Sequence, residues 1–297
     1  MNQTNQAENR GVPETLQRSI VSYYDETQLD YRFFWLNKRN RAVHFGYFNN
    51  EVTKHSQALE NLNKVLADKV AIDSDDHVLD AGCGQGGSSF WLAENRDCKV
   101  EGITLVPHQV NIASKEAIKR QLTDKVSFSV QDYCNTKFPD EHFSVVWACE
   151  SQCHAYSKAA FYQEAWRVLK PGGRLVVADY IRRSRPLSAP DEQLLKNWLS
   201  GWSIPGIDTW AEHEQNLKNA GFALTDHTDA TKNISPSLSR LYKMSKKLLV
   251  LGTFLYYFKI RNKVKHGNQT GSVFQFEALQ KDLWYYSIFT AIKPHKE

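Results

Sequence analysis

The run Val78-Leu79-Asp80-Ala81-Gly82-Cys83-Gly84-Gln85-Gly86-Gly87 places a carboxylate at the end of an apolar stretch, then glycines at every second position, then Ser88. This is the make-up of a ligand cradle. The glycines let the backbone turn tightly and approach a ligand without Cβ clashes. The helix expected to start at Ser88 offers free N–H groups and a positive dipole end. Asp80 can accept from a cationic or N–H-bearing group. The spacing is neither the G-x-G-x-x-G of a dinucleotide site nor the G-K-[ST] ending of a P-loop. Further on, Ala148-Cys149-Glu150-Ser151 is followed by His154, and a later apolar run ends at Asp179. Histidine is the usual base where a hydroxyl must lose its proton. His154 is read either as that base or as a pocket histidine without proton transfer. Asp179 is read either as its orienting carboxylate or as a strand-end hydrogen bonder. Cys149, Cys153 and His154 lack a second ligand pair at zinc spacing, so no metal centre is expected.

The elements that must hold these residues follow from periodicity. Strands are expected at 77–81, 99–104, 126–130, 143–148 and 174–179, with helices at 88–95, 107–121 and 158–169 between them. Strands at 222–226 and 284–292 complete the set. Repeated β–α units of this length imply a parallel sheet with helices on both faces. Ligands of such sheets sit beyond the carboxyl ends of the strands. That rule gathers Asp80 and its loop, Thr104-Leu105, Gln131-Asp132-Tyr133, Cys149-Glu150 with His154, and Asp179. The chain is divided into a disordered arm (1–13), an aromatic-rich N-terminal helical cap (14–66) and a core (67–297). Segments at about 181–220 and 231–282 exceed a minimal β–α connection and read as substrate caps.

The chain resembles the class I S-adenosylmethionine (SAM)-dependent methyltransferases over roughly 22–180. It is most similar to their small-molecule branch of γ-tocopherol, sterol C- and indolocarbazole sugar O-methyltransferases. The resemblance rests on Tyr24-Asp25, His44-Phe45-Gly46-Tyr47, Leu79-Asp80-Ala81-Gly82-Cys83-Gly84, Gly102-Ile103-Thr104-Leu105, Trp147 with Glu150-Ser151 and His154, and Arg167-Val168-Leu169-Lys170-Pro171-Gly172-Gly173. It implies an α/β fold with a Rossmann-like, seven-stranded, mostly parallel sheet whose last strand is antiparallel. It also implies SAM as cofactor. Asp80 and the glycines Gly82, Gly84 and Gly86 would hold its methionine part. Asp132 would accept from the adenine amino group, Tyr133 would pack on the ring, and Thr104, Leu105 and Gln109 would lie near ribose and adenine. Thr104 stands where many relatives carry an acid, offering one hydroxyl instead of two acceptor oxygens. Tyr24, His44, Tyr47 and Cys149 are further cofactor-side candidates, and Glu150 reads as a structural or cofactor-side acceptor. The expected reaction is methyl transfer to a small, mostly apolar metabolite. A hydroxyl is favoured, with carbon or nitrogen of an aromatic, prenoid or alkaloid acceptor as the alternative.

Length and composition are consistent with this. At 297 residues, 41% hydrophobic and 24% charged, the chain can bury a sizeable core without staples. Its five cysteines show no disulfide framework, and a cytoplasmic location is expected. The N-terminus is polar, with no apolar signal-peptide core. The net charge is +4, yet 231–276 contains nine Lys and Arg and no Asp or Glu, so the remainder carries −5. No N-P-P-[YF] tetrapeptide follows the fourth strand, which argues against a nucleic-acid partner; a non-catalytic SAM-binding protein is the other class of reading. Trp198, Trp202 and Trp210 are expected either to wall an apolar acceptor cavity or to form the first insertion's own core. Phe254 and Tyr257 are expected to face the acceptor from the basic segment. That segment is read as a lid, with peripheral membrane contact through 238–266 or an anionic acceptor as alternatives. The oligomeric state is not legible.

Overall fold

The computed structural model describes residues 12–34 and 41–295. Most of the expected arm lies outside them. Seven strands form one sheet: β1 (His77–Ala81), β2 (Lys99–Thr104), β3 (Val126–Val130), β4 (Phe143–Cys149), β5 (Leu169–Arg182), β6 (Ala223–Asp229) and β7 (Trp284–Ile292). Their order is β3-β2-β1-β4-β5-β7-β6. The first five pair in parallel, and β7 runs antiparallel to both β5 and β6. This is the expected Rossmann-like sheet.

Alternation along the central strands builds two cores. Val78, Val100, Val145, Trp147, Val176 and Ala178 face one side. Leu79, Ile103, Val146, Ala148, Leu175 and Val177 face the other. With both faces covered, these strands read as nearly continuous apolar runs. The first core is covered by α2 (His55–Lys69) and α3 (Gly87–Arg96), the second by α5 (Lys158–Val168) and α7 (Trp210–Ala220); α4 (Pro107–Arg120) joins β2 to β3.

The remaining helices form a cap: α1 (Glu14–Phe34), α6 (Ala189–Gly201), α8 (Thr231–Lys247), α9 (Leu249–Tyr257) and α10 (Lys263–Gln280). The backbones of α6 and α10 touch, because a Cβ on Gly201 would lie 2.5 Å from the carbonyl oxygen of Gly267.

Two expected caps divide differently. Within 14–66, only α1 belongs to the cap, while α2 packs on the sheet beside α3. Within 181–220, α6 joins the cap, but α7 is an ordinary crossover helix packed on α5. Trp210 goes with α7. It stacks on His227 at 3.5 Å between ring centroids, lies against Phe289, and so cannot wall an acceptor cavity.

Candidate active site

The carboxyl ends of β1, β2 and β4 open into a cavity. Its floor is the glycine loop. Gly82, Gly84 and Gly86 all have positive φ, at 98°, 53° and 84°. A Cβ on Gly82 would sit 2.4 Å from that of Ser151, whereas one on Gly84 would meet nothing within 4 Å, so the cavity begins directly above Gly84. Gly86 has another task. A Cβ there would strike Phe128 and Phe90, so this glycine lets the helix start pack on the sheet and does not line the cavity.

Asp80 accepts from Ser89 Oγ at 2.6 Å, and burial raises its pKa to about 6. Thr104 Oγ donates to Gln109 Oε1 at 2.8 Å and accepts from the Val106 N–H. His44 Nδ1 faces the Phe45 carbonyl at 2.9 Å and therefore carries the proton. Its Nε2 is buried without a partner, and burial lowers the ring's pKa to about 4. The cavity thus has an unused acceptor in its wall. Such a group costs stability unless a ligand satisfies it.

A second cavity lies between the sheet edge and the cap. Tyr23, Tyr180, Trp202, Ile204, Leu241 and Leu248 give it an apolar body, and Ser245, Asn268, Gln269 and Ser272 give it a polar end. Tyr24, Val43, Glu150 and His154 line both cavities. Whatever passes between the two cavities passes these four side chains.

His154 ends a 3-10 turn at Gln152–His154. Its Nδ1 lies 3.3 Å from the Ser203 carbonyl oxygen, which can only accept, so Nδ1 is protonated. The Nε2 lone pair is then left to accept from the Tyr24 hydroxyl at 3.2 Å. Burial lowers the ring's pKa to about 4, so it is neutral at pH 7, and the same burial makes it a weaker base than a free imidazole. Asp179 does not touch this ring. Its carboxylate accepts the N–H groups of Cys153 and Tyr180, both at 2.8 Å, and thereby fixes the turn that carries His154. The expected His–Asp pair is replaced by a histidine oriented by a backbone carbonyl. Lys158, which sequence reasoning passed over, completes the frame. Its buried ammonium donates to the carbonyls of Cys153, Ala155 and Gly206 and ties the turn to the Ser203 loop.

Glu150 accepts from the Phe45 N–H, Tyr180 hydroxyl and Tyr286 hydroxyl at 2.7, 2.7 and 2.9 Å. Burial nevertheless raises its pKa to about 8, its three donors only partly offsetting the desolvation. At a pKa near 8 this carboxyl is mostly protonated at neutral pH, and a cation beside it would favour its ionised form.

These features are those of a SAM site, and comparison with known proteins identifies it. The Methyltransferase domain family matches residues 79–177. The 27-O-demethylrifamycin SV methyltransferase of Amycolatopsis mediterranei (strain S699) is 30% identical over 200 residues, which span 67% of this chain and 72% of that protein. This chain belongs to the class I SAM-dependent methyltransferases. A second relative, the 2-methyl-6-phytyl-1,4-hydroquinone methyltransferase of Synechocystis sp. (strain ATCC 27184 / PCC 6803 / Kazusa), is 41% identical over 147 residues, 48% of this chain and 45% of that protein. The crystal structure of the [4+2]-cyclase SpnF superposes with a TM-score of 0.77 at 25% identity, covering 96% of this chain and 99% of that one. The methyltransferase therefore uses SAM and acts on a small molecule.

Of the sequence-expected cofactor residues, Tyr24, His44, Asp80, Gly82, Gly84, Thr104, Leu105, Gln109, Tyr133, Cys149 and Glu150 line the first cavity of the methyltransferase. Tyr47, Gly86 and Asp132 do not. Tyr47 packs into the first core, and Asp132 accepts the N–H groups of Val12 and Cys134. Among the acceptor candidates only Trp202 lines the second cavity. Trp198 is fully buried against Trp202, Tyr180 and Trp284 and supports that wall from behind. Phe254 and Tyr257 are 55% and 81% exposed and face away from it. Arg41 lines the first cavity unpredicted, paired with Glu116 at 2.7 Å. Nothing in the sequence singles Arg41 out from the neighbouring Lys38 and Arg39 for that role. Among the described residues, the donor atoms of His77, Glu101 and His142 converge within 4.8 Å, but near the amino ends of the strands, away from both cavities.

Proposed function

We propose that this methyltransferase alkylates a hydroxyl of a small, mostly apolar acceptor, with His154 as proton acceptor. The observation that carries this reading is the tautomer of His154. Its Nδ1–H is held by the Ser203 carbonyl, and its Nε2 lone pair stands at the wall shared by the two cavities. Gly84, with His44 and Asp80 as acceptors, would hold SAM, which would supply an electrophilic methyl on a sulfonium.

The acceptor's apolar body lies against Tyr180, Trp202, Ile204 and Leu241, and its polar groups reach Asn268 and Ser272. Its reacting hydroxyl donates to His154 Nε2 in place of Tyr24. As the O–CH3 bond forms and the S–CH3 bond breaks, the hydroxyl proton passes to Nε2 and later to water. Alignment of nucleophile and methyl by the shared wall supplies most of the rate. Glu150 stabilises the positive charge of the bound cofactor. It also supports a second reading, methylation at carbon, since a buried carboxylate there would equally stabilise a carbocation.

The 2-methyl-6-phytyl-1,4-hydroquinone and 27-O-demethylrifamycin SV for which the relatives are named form the starting acceptor panel, assayed with 13C-methyl SAM and NMR of the product. His154→Ala is expected to lower turnover by about 10²–10⁴-fold with SAM affinity nearly intact. Full activity of that variant, or a methyl on carbon, would refute the hydroxyl mechanism.

All five cysteines are free, which supports a reducing, cytoplasmic location. Fewer than five titratable thiols in unfolded protein from cells would count against it. Among the described residues, no helix is long and apolar enough to cross a membrane.

A further inference from the structure

Eleven large hydrophobic side chains are exposed among the described residues, and eight of them lie between Leu248 and Ile260. Val250 is 82% exposed, Tyr257 81%, Ile260 72%, and Leu251, Phe254 and Phe258 are each above half. Within α9, positions 250, 254 and 257 share a helical face, and Phe258 follows directly at its C-terminal end. The helix is seated through the opposite side, where Gly252 is its one buried residue and contacts Gln269 of α10. The outward face therefore follows from how the helix is anchored. A contiguous apolar patch of this kind marks a contact surface.

Two further features say what covers it. The patch is bordered by Lys243, Lys246 and Lys247 on one side and Lys259 and Lys263 on the other, all exposed, and no acid occurs within 231–276. A second copy of the chain on the same patch would bring ten lysines together, so self-association is opposed by charge. Leu248 and Arg261, which flank α9, line the acceptor cavity, so the patch borders its mouth.

We infer that α9 is a membrane-docking helix that seats the enzyme on an anionic bilayer and opens the acceptor cavity toward it. A nine-residue helix rises about 14 Å, too little to cross the hydrocarbon core, so it lies in the interface plane. Val250, Phe254 and Tyr257 enter the headgroup–acyl boundary while the lysines meet lipid phosphates. An acceptor that partitions into lipid would then reach the shared wall without crossing water. This deepens the hydroxyl-methylation reading by assigning its acceptor's source, yet vesicle binding is measured without acceptor or cofactor and stands or falls separately.

The test uses the full chain with phosphatidylcholine vesicles, with and without phosphatidylglycerol, in flotation assays at low and high salt. The expected result is binding to anionic vesicles at low salt, release at high salt, and little binding to neutral ones. The double variant Phe254→Ser/Tyr257→Ser, and separately Lys246→Glu/Lys247→Glu/Lys259→Glu, should keep the wild-type Tm. Each lysine removed should weaken binding about fivefold, and the serine variant should weaken it by more than tenfold. Absence of binding to anionic vesicles at low salt would overturn the inference. So would unchanged binding by the serine variant, which would reduce the contact to charge alone. A wild-type dimer in solution that the serine variant dissociates would instead assign the patch to a second copy.

Discussion

SAM affinity should rise with pH through the neutral range, and Glu150 is the reason. In the unliganded protein burial holds this carboxyl at a pKa of about 8, so at pH 6 about one molecule in a hundred has it ionised. The bound cofactor favours the ionised form. A unit cation about 5 Å from a carboxylate is worth about 3 kcal/mol at an effective dielectric of about 20, which pulls the carboxyl down by about two units. Binding then releases a proton wherever the free group is protonated and the bound one is not. Affinity should therefore climb up to tenfold per pH unit between about 6 and 8 and level off above 8. His44 and His154, both near 4, are neutral throughout this window and add no slope. Asp80 near 6 steepens only its acid end. Stability of the unliganded protein has the opposite sign. Glu150 binds a proton on folding because its pKa rises from 4.5 to about 8, so this contribution is present at acid pH and is lost as pH rises through that range. Titration calorimetry from pH 6 to 9, in two buffers of different ionisation enthalpy, counts the protons. Glu150→Gln should flatten the slope, and S-adenosylhomocysteine, which lacks the sulfonium, should show a shallower one. A pH-independent SAM affinity, or a slope that survives in Glu150→Gln, would refute the reasoning.

Four further outcomes are expected. Gly84→Val should cost stability, because a β-branched residue is strained at φ 53° even where space is open, and should weaken SAM about tenfold or more in the protein that folds; unchanged affinity by calorimetry in the folded variant would remove the loop from the site. His44→Phe should raise the SAM dissociation constant several-fold, about 1 kcal/mol for one lost hydrogen bond, while its Tm reflects loss of the Nδ1–H bond to the Phe45 carbonyl offset in part by removal of a buried Nε2 lone pair. Asp179→Ala should lower stability by roughly 2–4 kcal/mol for two orphaned buried N–H groups and lower kcat through a loosened turn. Asp179→Asn keeps one acceptor oxygen but turns an amide NH2 toward the other N–H, so it should recover only part of both, and a pH–rate profile shifted by Asp179→Asn beyond this loss would instead indicate direct contact with the base. Trp202→Ala should raise the acceptor KM, whereas Trp210→Ala should lower Tm without changing KM.

Sequence alone determined what depends on short-range order. The strand periods, the glycine spacing after Asp80 and the rule that ligands sit at the carboxyl strand ends fixed the sheet, the cofactor cavity and most of its lining. These are local: a strand that ends at Asp80 presents the next few residues to that edge whatever the rest of the chain does. Which face of a cap helix meets the cavity was decided only by tertiary packing. Trp198, Trp202 and Trp210 are alike in composition and spacing, yet one lines the acceptor cavity, one supports it and one stacks on His227 across the sheet. Phe254 and Tyr257 read as acceptor contacts until Gly252 seats α9 on Gln269 and turns them outward. His154 lies in the turn after β4 and Asp179 on the neighbouring strand β5, and their proximity was legible. That Asp179 spends both oxygens on backbone N–H groups, leaving the Ser203 carbonyl to set the tautomer, depends on residues dozens of positions apart. Periodicity within a segment cannot encode such a contact, because its energy exists only once the loops have converged.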